Sequence, residues 1–452
     1  MILALFLYLT RLSLHDDHVQ WYVTLFPLIL LSLDKGFLVY AKSGMETPLH
    51  ALLIILCIYY YSPAKKNLIH AFRLALLLAM LSCTRPEGGI FLCVCAAHQV
   101  SSSIRSRSEW SWTRLWIGMT IGMVALFLLW RYRYYGDLLP NSYYAKVALG
   151  SVVQKYRGFR YLFYYLVYYL PWPVSLLAIT GASCNWRRSV TVQVCTLVCI
   201  AQILFAVVSG GDFFPWFRFF APVAPVVYFL AAKGIASLAA ASAARARMLA
   251  VRRAVTALAL LLSLAMMPLT RIAIWRNRDL SWTIAYRCNS ARHCVDTLRA
   301  LVNPDLSQMK QRIGLWLAAH YPPHTVIATD QAGQIPYYSR METIDLCGIN
   351  DAIIARTGPR ASYLLANNVA IIIMEILPRT KEPLFARLIR EREFQRNYRL
   401  LKIIRDRYNP REGISFVLWQ RMENPDEQYA YTEDIRRMFR RFSAEEHSGL
   451  KL

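Results

Sequence analysis

SGGDFFPWFRFFAPVAPVV, residues 209–227, lies between two long apolar runs and carries one acid, Asp212, and one base, Arg218. They stand six residues apart with aromatics between them, where a chain entering or leaving a bilayer turns. The flanking runs, 190–208 and 221–232, contain no charged residue, and neither do 117–130, 162–182 and 254–269. A helix needs about 20 mostly apolar residues to cross a bilayer, and only helices or closed barrels satisfy the backbone in lipid. The alternating pattern of a barrel is absent. With 56% hydrophobic residues and a positive mean hydropathy, the chain carries more apolar surface than a soluble domain of 452 residues needs. The expected fold is mainly α, a multi-pass helical membrane protein with a C-terminal soluble α/β domain.

Roughly nine apolar segments precede residue 272, some of them short enough to be re-entrant. The loops between them fall into two alternating sets. One is short and basic: Lys65 and Lys66, Arg105 and Arg107, Arg187 and Arg188, and the run ending at Arg253. These read as cytoplasmic, and they account for a net charge of +24 without a nucleic-acid partner. No RNA-binding aromatic signature or glycine-rich phosphate loop accompanies them. The other set mixes acids, bases, Gly, Pro and aromatics: Lys42–Thr47, Thr84–Gly89, Arg131–Lys146 and Gly210–Arg218. All four fall on the opposite, external face.

The external loops hold the residue types that a reaction centre needs. Their ionisable and polar side chains are Glu46, Arg85, Glu87, Asp137, Asn141, Lys146, Asp212 and Arg218. Charges at membrane boundaries are functional candidates when they converge. Asp212 and Arg218 either hold opposite ends of such a centre or pair with each other and shape the loop. The aromatics of two loops, Tyr132, Tyr134, Tyr135, Tyr143 and Tyr144 in one and Phe213, Phe214, Trp216 and Phe217 in the other, form either an interfacial belt or a platform for sugars or isoprenoid chains.

From about Thr270 hydropathy drops. "IGLWLAAHY" (313–321) has helical amphipathic spacing, and 325–330, 342–348, 369–375, 398–404 and 414–420 are short β-rich runs. They predict an external α/β domain over 272–425, after a membrane domain over 1–271 and before a charged tail, 426–452. Of ten cysteines, Cys57, Cys83, Cys93, Cys95, Cys195 and Cys199 sit in apolar runs as packing residues. Cys93 and Cys95 are too close together and too isolated for a zinc site. In an oxidising compartment Cys288 and Cys294 can form a disulfide. The Ile2–Leu9 run has neither a basic leader nor a small-residue cleavage site, and reads as a spanning helix.

Four segments, "SGMETPLHALLI", "TRPEGGIF", "YYGDLLPNSYYAK" and "GGDFFPWFRFFAP", in that order, together with the stretch from Ile313 to Thr357, resemble the polyprenyl-phosphate-sugar-dependent glycosyltransferases of the GT-C fold. The likeness is to the mycobacterial terminal β-(1→2) arabinofuranosyltransferases and their bacterial relatives, and runs from about residue 25 to 420. It implies transfer of a sugar, such as arabinofuranose, from a polyprenyl-phosphate donor to a glycan hydroxyl on the external face of a bacterial cytoplasmic membrane, with inversion. Under it Asp212, Asp137 and Glu46 are the candidate bases. Arg85, Lys146 and Arg218 are the donor-phosphate ligands, and Glu87, Asn141 and Trp216 contact sugar or acceptor. A departing phosphate calls for cations, and a sugar hydroxyl for a carboxylate. Some members of the fold use a divalent cation, although no ligand cluster here has strong metal spacing.

The sequence departs from the pattern at its start. The family's first external loop carries an acidic catalytic residue, yet this chain reaches the later "FPLILLSLDKGF" segment by about residue 26. The N-terminal part of the pattern is therefore expected to be missing. Asp16 and Asp17 offer a replacement pair, but the alternation of loops places them on the cytoplasmic side unless a short span is re-entrant. Two other classes compete with the enzyme: a lipid-linked sugar transporter, which the nearly charge-free span centres oppose, and a non-catalytic glycan-binding scaffold, which the missing loop favours.

Overall fold

The structure, a computed structural model, describes residues 21–61, 67–105, 110–146, 152–212, 216–246, 257, 261, 308–376, 385–405 and 415–422. Asp16, Asp17, the Ile2–Leu9 run, Cys288, Cys294 and the charged tail lie outside the described residues, as do Phe213 and Phe214. The chain divides into two compact units, Met1–Leu138 with Ser151–Asn289, and Leu139–Gly150 with Ser290–Leu452.

The first unit is helical. Its elements are α1 (Trp21–Leu33), α2 (Lys35–Lys42), α3 (Thr47–Tyr61), α4 (Leu68–Thr84), α5 (Pro86–Arg105) and α6 (Trp110–Tyr135). A six-residue helix of the second unit, α7 (Asn141–Lys146), follows. The first unit then continues with α8 (Val152–Tyr164), a π-helical turn (Tyr165–Tyr169), α9 (Trp172–Asn185), α10 (Val190–Val208) and α11 (Ala224–Ala246). Among the described residues three helices are long and apolar enough to cross a membrane, Trp110–Tyr135, Val190–Val208 and Ala221–Leu238. Two bent pairs raise that to five if each is one span. The roughly nine segments of the sequence do not translate one for one. Turns at Asp34, Gly44 and Pro171 cut apolar runs into short helices, and α2 meets α3 at 112°.

The unit's core is aromatic and aliphatic, with Phe26, Leu30, Ile54, Leu78, Trp116, Phe217, Phe220 and Tyr228 all buried. The outward faces are apolar as well: Ile121, Leu126, Leu129, Ile179, Leu204 and Val208 are exposed. Helices α9 and α11 cross through paired glycines. A Cβ on Gly181 would lie 2.0 Å from the Leu230 carbonyl oxygen, and one on Gly234 would lie 2.0 Å from that of Leu177. Small residues at such a crossing let two backbones touch.

The second unit is built on one five-stranded sheet. Strands β1 (Ile327–Thr329), β2 (Thr343–Asp345) and β3 (Ile371–Ile376) pair in parallel, while β5 (Ser415–Arg421) runs antiparallel to both its neighbours, β3 and β4 (Tyr398–Arg405), which gives the order β2-β1-β3-β5-β4. Each lies within or overlaps a β-rich run of the sequence, and the amphipathic stretch forms a helix, Gln308–His320. Ile371–Met374 and Val417–Trp419 are fully buried, which fits their continuous apolar runs. At the carboxyl end of β1, Asp330 Oδ2 accepts from the Glu375 backbone N–H at 2.8 Å, while its buried Oδ1 has no hydrogen-bond partner. Gln331 donates to Glu375 Oε2 at 2.6 Å and accepts from Lys310.

Candidate functional site

Three of the four mixed loops meet in the first unit, and local sequence explains each. In "TRPEGG", Arg85 is extended (φ −150°, ψ 149°), the conformation favoured before proline, and Pro86 opens α5 at its first position. Gly88 presses this new helix against α4: a Cβ there would sit 2.0 Å from the Leu81 carbonyl oxygen. The hairpin therefore delivers Arg85 and Glu87 side by side, and Arg85 Nε donates to Glu87 Oε1. The other end of the guanidinium reaches the α2–α3 turn. There Nη1 donates to Glu46 Oε1 at 2.7 Å and more weakly to Thr47 Oγ1 at 3.4 Å. Arg85 and Glu87 are buried, whereas the Glu46 side chain is 40% exposed. One face of this triad is thus open.

The "SGGD" stretch ends α10 with Gly210 and Gly211 in the left-handed region (φ 81° and 75°), a helix-terminating conformation that only glycine takes freely. It leaves Asp212 beside Arg218, whose Nε donates to Asp212 Oδ2. The pair is buried. The two residues thus form one ion pair, and among the described residues Asp212 Oδ1 accepts no hydrogen bond. Trp216 and Phe217 are held at φ 59° and 54°. Positive φ at bulky residues is costly and persists only where the surroundings impose it.

The two ion pairs are neighbours. Arg85 and Arg218 each lie within 6 Å of the Phe219 ring, at 5.7 and 5.9 Å, and Arg218 Nη1 reaches the Met45 sulfur at 3.9 Å. The Tyr40 hydroxyl lies within electrostatic reach of Asp212, Arg218 and Arg85. Tyr161 faces Asp212 and Arg218, and its hydroxyl accepts from the Phe219 N–H at 3.3 Å. His50 stands near Arg85 and bonds Thr84 at 2.9 Å through Nδ1. The Thr84 hydroxyl donates to the Leu81 carbonyl, which leaves it to accept from that nitrogen. Glu46, Arg85, Glu87, Asp212 and Arg218 therefore converge, while Trp216 is buried at their edge. Asp137 lies half-buried beyond the end of α6. Asn141 and Lys146 belong to the second unit, in α7.

Sequence alone does not distinguish Tyr40, His50 and Tyr161, because single aromatics and histidines in apolar runs look the same as core. Asp34 carries a signal that sequence could give, since a lone acid in "LSLDKGF" is an expensive residue in that setting. Its carboxylate caps α2 by accepting from the Phe37 N–H at 2.8 Å. It also accepts from the hydroxyls of Tyr169 and Tyr228, both at 2.6 Å. The Tyr169 hydroxyl in turn accepts from the Gly36 N–H at 2.7 Å. The α2 start also braces the strained turn: Lys35 lies over the Trp216 ring at 3.9 Å, and a Cβ on Gly36 would come within 2.6 Å of the Trp216 carbonyl.

Among the described residues no three His, Cys, Asp or Glu side chains come together as metal ligands. Glu46, Glu87 and Asp212 each give one carboxylate oxygen to a guanidinium.

Residues 299–429 match a family model described as a domain of unknown function, DUF8728. The match covers the described strands and helices of the sheet domain, and none of the residues of the charged cluster. No curated protein matches the chain.

Proposed function

We propose that the chain is a membrane-embedded transferase that moves a sugar from a polyprenyl-phosphate donor to a glycan hydroxyl on the external face of a bacterial cytoplasmic membrane. The observation that carries this reading is the convergence of Arg85 and Arg218 with three carboxylates on the turns between apolar helices. A soluble protein does not keep such helix faces bare, and a lipid-linked donor gives a reason for them. The two guanidiniums suit a phosphate leaving group, because their planar forks donate in pairs and their counter-carboxylates fix their orientation. Glu46, with its open face, and Asp212, through Oδ1, are the carboxylates placed to take a hydroxyl proton. The resemblance noted in the sequence supports the same assignment and suggests arabinofuranose as the sugar.

The test is a reconstituted assay that follows release of polyprenyl phosphate from a polyprenyl-phosphate-linked pentose. Arg85→Lys and Arg218→Lys are expected to lower turnover by about 10²–10³-fold, the usual cost of losing a preorganised charge stabiliser. Both variants should still insert into membranes. Unchanged turnover in both would remove the cluster from the reaction. Oligosaccharide binding with no turnover in the parent protein would replace the transferase by a glycan-binding role.

A further inference from the structure

The tight turn joining α9 to α10, "ASCNWRRS", borders a cavity of about 520 Å³ lined by Ala182, Ser183, Cys184, Trp186, Arg187, Arg188 and Thr196. That volume falls within the ~300–1,000 Å³ of small-molecule sites. Its chemistry differs from that of the charged cluster: two adjacent arginines, two hydroxyls, one indole and no carboxylate.

The turn is held rigidly from behind. Asn185 Nδ2 donates to Ser237 Oγ and to the Gly181 carbonyl, both at 2.9 Å, which ties the end of α9 to α11. The Asn185 carbonyl accepts from the N–H groups of Arg188 and Ser189, both at 3.0 Å. Gln193 donates to the Trp186 carbonyl at 2.6 Å, and its oxygen bonds His98 Nε2 at 2.8 Å. His98 bonds the Tyr61 hydroxyl, also at 2.8 Å. A backbone braced by α3, α5 and α11 presents Trp186, Arg187 and Arg188 outward, all three exposed. A surface that served only solubility would not call for such bracing.

We propose that this pocket binds the phosphate head group of an anionic membrane lipid, with Arg187 and Arg188 taking the phosphate and Trp186 lying along the glycerol and upper chain. The assignment rests on the membrane reading above. Arginine forks match phosphate oxygens, indoles favour the headgroup level, and basic pockets between spanning helices recruit anionic lipids. Two cations with no acid in the lining select against zwitterionic lipids, whose own cation gains nothing there.

The experiment uses the full chain in nanodiscs and native mass spectrometry, and counts retained phosphatidylglycerol against phosphatidylcholine. The expected result is preferential retention of phosphatidylglycerol. Retention should weaken roughly twenty-five-fold in Arg187→Gln/Arg188→Gln, about fivefold per arginine lost. The control Lys65→Gln/Lys66→Gln removes the same charge from another basic loop and should leave retention within about twofold. Equal loss in both double variants would mean diffuse attraction and would overturn the site, as would equal retention of the two lipids. Displacement of phosphatidylglycerol by millimolar inorganic phosphate would assign the pocket to a free anion and overturn the lipid. If the double glutamine variant fails to fold, Arg188→Gln and Trp186→Ala carry the test singly; normal retention in both overturns the proposal. Partition into vesicles separates the underlying readings. A chain that enters phosphatidylcholine vesicles yet shows no headgroup preference refutes the pocket alone, and one that enters none refutes the membrane reading as well.

Discussion

Replacing Asp34 by alanine should strip the first unit of its most demanding polar contact. The carboxylate accepts three hydrogen bonds, from the Phe37 N–H, the Tyr169 hydroxyl and the Tyr228 hydroxyl, and it is 3% exposed. Each buried donor left without an acceptor costs about 1–3 kcal/mol. Three such donors sum to roughly 3–9 kcal/mol, and removing a buried charge returns several kcal/mol of desolvation. The net expected loss is about 3 kcal/mol. It separates from loss of packing in a cycle with Tyr228→Phe, which removes one of the three donors. If the Tyr228 hydroxyl acts through the carboxylate, the double variant should be about 2 kcal/mol more stable than the sum of single effects predicts, the size of a hydrogen bond to a charged group. The assay is equilibrium unfolding in mixed detergent micelles at neutral pH. Additivity within about 0.5 kcal/mol, the scatter of independent sites, would refute the reasoning, as would Asp34→Ala at parental stability.

Two further predictions concern packing and pH. Gly234→Ala drives a methyl against the Leu177 carbonyl and should cost about 1–3 kcal/mol, whereas Gly122→Ala on α6, with nothing within 4 Å of the new methyl, should be neutral or stabilising; thermal unfolding of both variants in detergent checks the contrast. In the second unit burial pushes the Asp330 carboxyl up to about 7, and the neighbouring Glu375 charge adds to the rise, against the Glu375 N–H bond and the Lys310 charge. The folded form thus binds a proton that the unfolded chain releases near its ordinary value of 3.8, so stability is fullest below about pH 4 and falls as pH rises to about 7. Hydrogen exchange of the β1 and β3 amides, corrected for the intrinsic rate, should show protection declining across that window in the parent and flat in Asp330→Asn; an unchanged slope in the variant would assign the effect to another group.

The charged cluster shows how far residue types and order lead. Loops that mix acids, bases, glycine and proline were readable as one set, because each interrupts an apolar run. Arg85, Glu87, Glu46, Asp212 and Arg218 do meet, as convergence of those loops requires. The sheet domain was legible strand by strand, because β-branched runs of five to eight residues between turn signals have few other folds open to them. Pairing was not legible. Six residues of separation in sequence left Asp212 and Arg218 free to join or to face apart, and only the left-handed glycines and the Trp216–Phe217 turn bring the carboxylate onto the guanidinium.

The sequence by itself determined the chemistry available to this protein: long uncharged helices, basic turns alternating with mixed ones, and a β-rich domain after residue 300. These follow from local hydropathy and backbone preference, which act over a few residues. The tertiary structure alone decided which of those residues share a site. It tied Asp34 to tyrosines 135 and 194 residues away, set Arg85 between Glu46 and Glu87, and placed Asn141 and Lys146 in the other unit. Such contacts depend on helix crossings fixed by close approaches such as Gly181 with Gly234, and no property of either glycine's own neighbourhood in the chain announces its partner.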